Sequence, residues 1–189
     1  MYVVTNEEMR AIDQRTIKQW EIPSTVLMES AGLAVVEELM RDIPDLNSKR
    51  VTVLAGCGNN GGDGLVIARH LFMRKVSVTV LVINEGGTFS EDHKINRRIL
   101  DHMPVRVFEL SKPQQLKVLK ATLNHTDLVL DCIFGTGLNR AVRAFYINVF
   151  QEVNQQKNIT CISVDCPSGL NGNTGEIGDD AIRADRTYT

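Results

Sequence analysis

No stretch of this chain approaches the roughly 18 consecutive apolar residues that a membrane-spanning helix needs. The N-terminus, Met1-Tyr2-Val3-Val4-Thr5-Asn6-Glu7-Glu8, lacks the basic stretch and apolar run of a signal peptide. A cytoplasmic protein that engages no membrane is expected. Long runs of like charge are missing as well: the formal net charge of −2 is spread along 189 residues, which argues against a nucleic-acid surface. The four cysteines, Cys57, Cys132, Cys161 and Cys166, form no C-x-x-C pair that would seed a zinc site or a redox motif. They read as free thiols in a reducing compartment, small buried residues where strands meet loops. No repeat, low-complexity tract or linker divides the chain, so residues 1–189 are assigned to one domain. At this length a fold buries roughly 70% of its unfolded-chain surface, and no disulfide or metal staple is required.

What is present is periodic. Thr5-Asn6-Glu7-Glu8 fits a capping box, and Met9, Ile12, Thr16 and Trp20 follow at helical spacing until Pro23. A second helix is predicted over 25–41, with Met28, Ala31, Gly32, Val35 and Leu39 on one face. Gly32 lowers helix propensity there and suggests close packing against a neighbouring backbone. From residue 51 short apolar runs (51–55, 76–83, 105–110, 128–134, 159–164) alternate with candidate helices (64–73, 90–102, 113–124, 141–156). That alternation predicts a mostly parallel, doubly wound sheet in a Rossmann-like α/β/α sandwich, with two helices in front. The last residues, Ala184-Asp185-Arg186-Thr187-Tyr188-Thr189, read as the beginning of a further strand, so the domain's C-terminal end is expected to be truncated.

In such a sheet ligands bind beyond the carboxyl ends of the strands, and three of the segments there are unusual. The first, Gly56-Cys57-Gly58-Asn59-Asn60-Gly61-Gly62-Asp63-Gly64, holds five glycines in nine residues. Glycine permits sharp turns and close backbone approach, and a following helix N-terminus suits phosphate. Gly56, Gly58 and Gly61 match G-x-G-x-x-G, but the carboxylate of Asp63 suits ribose hydroxyls better than phosphate. No Gly-Lys-Ser/Thr follows, which excludes a nucleoside-triphosphate P-loop. The second segment runs from Asp131 through Gly135-Thr136-Gly137-Leu138-Asn139-Arg140-Ala141 to Arg143, joining a carboxylate, backbone donors, a hydroxyl and positive charge. The third, Asp165-Cys166-Pro167-Ser168-Gly169, sets a carboxylate and a hydroxyl at a strand end. Asp131 and Asp165 are expected to face one cleft, one for acid–base chemistry and the other for a cation. His70, His93, His102 and His125 fall within or at the ends of predicted helices and read as surface or structural residues, leaving no Ser-His-Asp set.

Taken together, Ile22-Pro23, Leu27-Met28-Glu29, Ala31-Gly32, residues 56–64, 131–137 and 165–169, and Thr174-Gly175 resemble the YjeF N-terminal domain family, the NAD(P)H-hydrate epimerases. The resemblance implies an isomerase of metabolite repair. Its substrate is NADH or NADPH hydrated at C6 of the nicotinamide ring (NAD(P)HX), whose R and S forms it interconverts for an S-specific dehydratase. It also implies substrate contacts from Asn59, Asn60, Gly61, Gly62 and Asp63, from Gly135, Thr136, Gly137, Leu138, Asn139, Arg140 and Ala141, and from Asp165. A potassium ion is implied on Asn60, Asp131 and Ser168, whose oxygens suit a hard cation. Asp165 is the expected catalytic proton carrier. Some family members are fused to the dehydratase. Two other readings stand beside this one. An NAD-dependent oxidoreductase would place Glu85 on the ribose, and a nucleotide-binding module of the same fold would have no catalysis. Homodimerisation through the apolar surface of Met9, Ile12, Trp20 and Met28 is a further expectation, with coverage of a sheet edge as its alternative.

Overall fold

A computed structural model describes residues 4–138 and 141–189. The chain opens with α1 (Asn6–Gln19) and α2 (Ser24–Asp42). It then alternates β1 (Arg50–Ala55), α3 (Asn59–Met73), β2 (Ser77–Ile83), α4 (Glu91–Asp101), β3 (Arg106–Leu110), α5 (Leu116–Leu123), β4 (Leu128–Cys132), α6 (Ala144–Asn154), β5 (Thr160–Val164) and β6 (Arg186–Tyr188). All six strands pair in parallel in the order β3-β2-β1-β4-β5-β6. This is the doubly wound arrangement that the alternating pattern predicts, and its order reverses between β1 and β4.

The sheet is sealed on both faces. On one side Val36 and Leu39 of α2, Leu65, Ile67 and Leu71 of α3 and Leu100 of α4 pack on Val51, Val53, Val78 and Val80. On the other, Leu119 and Leu123 of α5 and Phe145, Val149 and Phe150 of α6 pack on Leu54, Leu81, Ile83 and Val129. Each such side chain, fully buried, stabilises the fold by roughly 1.5–3 kcal/mol relative to exposure. Gly32 does mark a close helix crossing: a Cβ there would lie 2.6 Å from Val66 Cγ1 of α3. The buried face of α2 carries Val36 where the sequence pattern pointed to Ala31, which is exposed.

α1 behaves differently. Its capping box forms, with Thr5 N–H donating to Glu8 Oε2 (2.7 Å) and Glu8 N–H to Thr5 Oγ1 (3.2 Å), yet the helix buries no residue. Met9, Ile12, Ile17 and Trp20 are exposed, whereas Met28 is in the core beneath Gly62. The apolar positions of α1 therefore do not cover a sheet edge, and Met28 belongs to no free surface.

Three boundaries shift for physical reasons. α3 begins at Asn59 instead of 64, because the glycine run is helix and not loop. β4 ends at Cys132 instead of 134, since Ile133 N–H turns back to Asp131 Oδ1 (3.2 Å) and leaves the ladder. The 113–124 element splits into a 3-10 turn at Pro113–Gln115 and α5.

Candidate active site at the strand crossover

The carboxyl ends of β1 and β4 meet backbone against backbone: Gly56 N–H donates to Cys132 O (2.9 Å). A Cβ on Gly56 would stand 1.9 Å from Ile133 O, one on Gly61 1.8 Å from Gly56 O, and one on Gly64 2.8 Å from Cys132 Cβ. None of the glycines at 56–64 has a positive φ. The sequence reading attributes the run partly to sharp turning, but Gly56, Gly61 and Gly64 are there for closeness, while Gly58 faces open space. They let the first turn of α3 sink into the crevice between β1 and β4, which buries Asn60 and leaves Gly58 and Asn59 exposed.

Asp131, next to last in β4, is fully buried and accepts four hydrogen bonds. Oδ1 accepts from Ser168 Oγ (2.5 Å) and Ile133 N (3.2 Å), and Oδ2 from Ser168 N (2.8 Å) and Ser163 Oγ (2.9 Å). Burial still outweighs these bonds and raises its carboxyl above the ordinary range. Ser168, also sealed, accepts in turn from Phe134 N–H (2.8 Å). Asn60 donates through Nδ2 to Val164 O (3.2 Å), while its Oδ1 is buried without a partner. The crevice thus holds an orphaned amide oxygen and, among the described residues, a buried carboxylate with no basic partner. The side-chain oxygens of Asn60, Asp131 and Ser168 are of the type a hard cation such as potassium prefers, and Asn60 Oδ1 is the one left without a partner.

Asp165 follows β5 with φ +69°, a left-handed conformation uncommon in residues with a side chain but tolerated by Asp better than by most. Its N–H donates to Tyr188 O of β6 (2.7 Å). Its Oδ2 accepts from the N–H (2.7 Å) and Oγ1 (3.1 Å) of Thr136. A Cβ on Gly135 would fall 2.1 Å from that oxygen and 3.3 Å from Asn60 Cβ. The three segments therefore converge on one cleft, with Asp165 on its wall and Asp131 beneath.

Asp63, one turn into α3, is pushed up to about 7 by burial first and then by the charges of Asp165, Asp92 and Asp13. Burial and Asp165 also raise Asp13. The sequence reading names neither Asp13 nor Asp92; the polar face of α1 offers a signal for Asp13, and Asp92 sits in the first turn of α4. α1 reaches the cleft through that face: Asn6 Nδ2 donates to Thr136 O (3.0 Å), and Arg10 Nη2 lies 3.4 Å from the same oxygen.

Of the other sequence candidates, Asn139 and Arg140 lie outside the described residues. Gly137 and Ala141 are exposed, and Leu138 is half-buried. Arg143 does not join Asp131. Its Nε lies 3.3 Å from Glu85 Oε2 and its guanidinium 5.8 Å from the centre of the Tyr146 ring. Burial raises the thiols of Cys132, Cys161 and Cys166, the last to about 11, so they are inert packing residues. His93 is buried against Phe89, and His70 is bound to Glu29, both in structural roles. No helix among the described residues is long and apolar enough to cross a membrane.

A parallel sheet with order reversal, a glycine-packed helix start and acidic groups gathered at the crossover defines an α/β protein built to receive a ligand at its strand ends. Residues 24–189 match the family model of the YjeF-related protein N-terminus, and the chain belongs to that family. The chain is 40% identical over 187 residues to a Limosilactobacillus reuteri protein named NAD(P)H-hydrate epimerase, covering 99% of this chain and 83% of that one. It is 37% identical to the bifunctional NAD(P)H-hydrate repair enzyme Nnr of Moorella thermoacetica, spanning 100% of this chain and 36% of that protein. The crystal structure of yeast ynu0 superposes with a TM-score of 0.84 at 29% identity, covering 99% of this chain and 79% of that one.

Proposed function

We propose that the chain is an NAD(P)H-hydrate epimerase, which inverts C6 of the hydrated nicotinamide ring of NADHX and NADPHX. The observation that carries this reading, beside the family, is Asp165. Its Oδ2 is held by the Thr136 N–H and hydroxyl at the mouth of an acidic crevice. C6 of the hydrate bears both a hydroxyl and the ring nitrogen, so two routes invert it. Protonation of the hydroxyl releases water and leaves an iminium ion, to which water returns on the other face with loss of the proton. Alternatively, the hydroxyl loses its proton as the C6–N bond breaks and the ring nitrogen takes a proton up, giving an open-chain aldehyde; the nitrogen then re-adds to the other face of the carbonyl, the two protons returning in reverse. Each route requires a positioned group that exchanges a proton at the C6 oxygen, the role assigned to Asp165. Fixing the ring against it supplies the orientation.

Substrate contacts are assigned to Asn59, Asn60, Gly61, Gly62, Asp63 and the 135–141 loop. A potassium ion held by Asn60, Asp131 and Ser168 would supply positive charge beneath the cleft. The exposed apolar positions of α1 support a homodimer, which sedimentation would reveal. The place of the reaction is the cytoplasm, upstream of an S-specific dehydratase. Chromatographic R-to-S exchange is the direct test: Asp165→Asn should slow it by about 10²–10⁴-fold, and near-normal exchange would remove Asp165 from the chemistry.

A further inference from the structure

Glu85 is left unused by the reading above, and the structure gives it unusual surroundings. β2 runs out into Asn84-Glu85-Gly86-Gly87, which turns at Gly86 (φ +72°) and is closed by Gly87 N–H donating to Asn84 Oδ1 (2.7 Å). The turn is clamped to the start of α3: a Cβ on Gly87 would lie 2.6 Å from Cys57 Sγ, and Ser90 N–H donates to Cys57 O (2.9 Å). On its other side Glu85 N–H donates to the Tyr146 hydroxyl (3.2 Å). Glu85 Oε2 is sealed from solvent and makes no aligned hydrogen bond, although Arg143 Nε lies 3.3 Å away.

Arg143 lines a cavity of about 520 Å³ together with Gly86, Gly87, Phe134, Val142 and Tyr146, and Glu85 adjoins it through Arg143 and the Gly86 turn. Glycine backbone and the Phe134 and Tyr146 rings, set beside the Thr88 hydroxyl and the Arg143 guanidinium, suit a flat heteroaromatic base with its ribose. The start of α3 joins this cavity to the epimerase cleft, since Cys57 touches Gly87 at one side and Asn60 approaches Gly135 at the other. A dinucleotide laid along that path would have its nicotinamide ring at Asp165, its diphosphate over the exposed N-terminus of α3 and its adenosine in the cavity. In a sheet of this order, the carboxylate that follows the second strand is the group that meets the adenosine ribose.

We infer that Glu85 and Arg143 read the 2′ position of the adenosine ribose and so set the preference between NADHX and NADPHX. This rests on the epimerase reading and deepens it. A 2′-hydroxyl can donate to the exposed part of the Glu85 carboxylate, whose side chain is 32% open to solvent. A 2′-phosphate would instead bring a second negative charge against Glu85, relieved only if Arg143 leaves the carboxylate for the phosphate. The wild-type chain therefore favours NADHX. Neutralising Glu85 removes the repulsion and frees a guanidinium, whereas truncating Arg143 removes the one cation of the pair.

The test is kcat/KM for NADHX and NADPHX, measured separately on wild type, Glu85→Gln and Arg143→Ala. The ratio of the two values within each variant is the readout, because general loss of fold or activity lowers both substrates together. Glu85→Gln should move the ratio toward NADPHX by tenfold or more, and Arg143→Ala should move it toward NADHX. Ratios unchanged from wild type in both variants would overturn the assignment. If wild type epimerises neither substrate, the epimerase reading fails and calorimetric binding decides this one. NADP against NAD must then show the same opposite shifts, and equal changes for both ligands would overturn it.

Discussion

Gly135 and Asp165 stand so close that a single methyl group on Gly135 would lie 2.1 Å from Asp165 Oδ2. The obstacle is a side-chain tip, which can swing, and not a packed backbone. Gly135→Ala should therefore fold normally and displace the carboxylate from its bonds to Thr136. The expected result is a melting temperature within about 3 °C of wild type and R-to-S exchange reduced by about 10²-fold. Unchanged exchange would show that the position of Asp165 is not critical.

Gly56 presents the opposite case, because what a Cβ would meet is Ile133 O at 1.9 Å, main chain of the neighbouring β4. Gly56→Ala should cost about 3 kcal/mol or more in a urea titration. Gly58, whose Cβ would meet nothing within 4 Å, should accept alanine with a change within about 0.5 kcal/mol. Equal effects at the two positions would contradict the packing role of the run.

Asp63 makes stability depend on pH. The fold favours its protonated form, so the stabilisation is complete below the free carboxylate range and is lost as pH rises through about 7. Asp63→Asn imitates the neutral acid. It should match wild type near about pH 4 and exceed it near about pH 8 by roughly 1–4 kcal/mol, read from denaturation midpoints. A constant difference across that range would count against the burial and the facing charges of Asp165, Asp92 and Asp13.

If potassium occupies the pocket of Asn60, Asp131 and Ser168, replacing it with tetramethylammonium should lower the melting temperature and slow exchange. Asn60→Ala should abolish the difference between the two salts, by mass action on a lost site. Identical melting curves of wild type in both salts would dismiss the ion.

The parallel sheet, its flanking helices and the convergence of residues 56–63, 131–136 and 165–168 were legible in the sequence, because burial on both faces writes continuous apolar runs and leaves polar residues at the strand ends. What the glycines do was not legible. A residue without a side chain looks the same in a turn as in a tight packing contact, and only the distances to Ile133 and Cys132 distinguish the two. Asp13 stayed hidden for a related reason: periodicity picks out apolar positions, and α1 meets the cleft through its polar face. The pairing of Glu85 with Arg143 joins residues 58 positions apart, which no local pattern carries.

Where β1, α3 and β4 meet, main chain rests on main chain with almost no side-chain layer between. Rotamers are the soft coordinates of a protein interior, and this junction has few to spend. The spacing among Asn60, Asp131 and the loop carrying Gly135 is thus set by backbone geometry, much as a machinist's jig holds its stops.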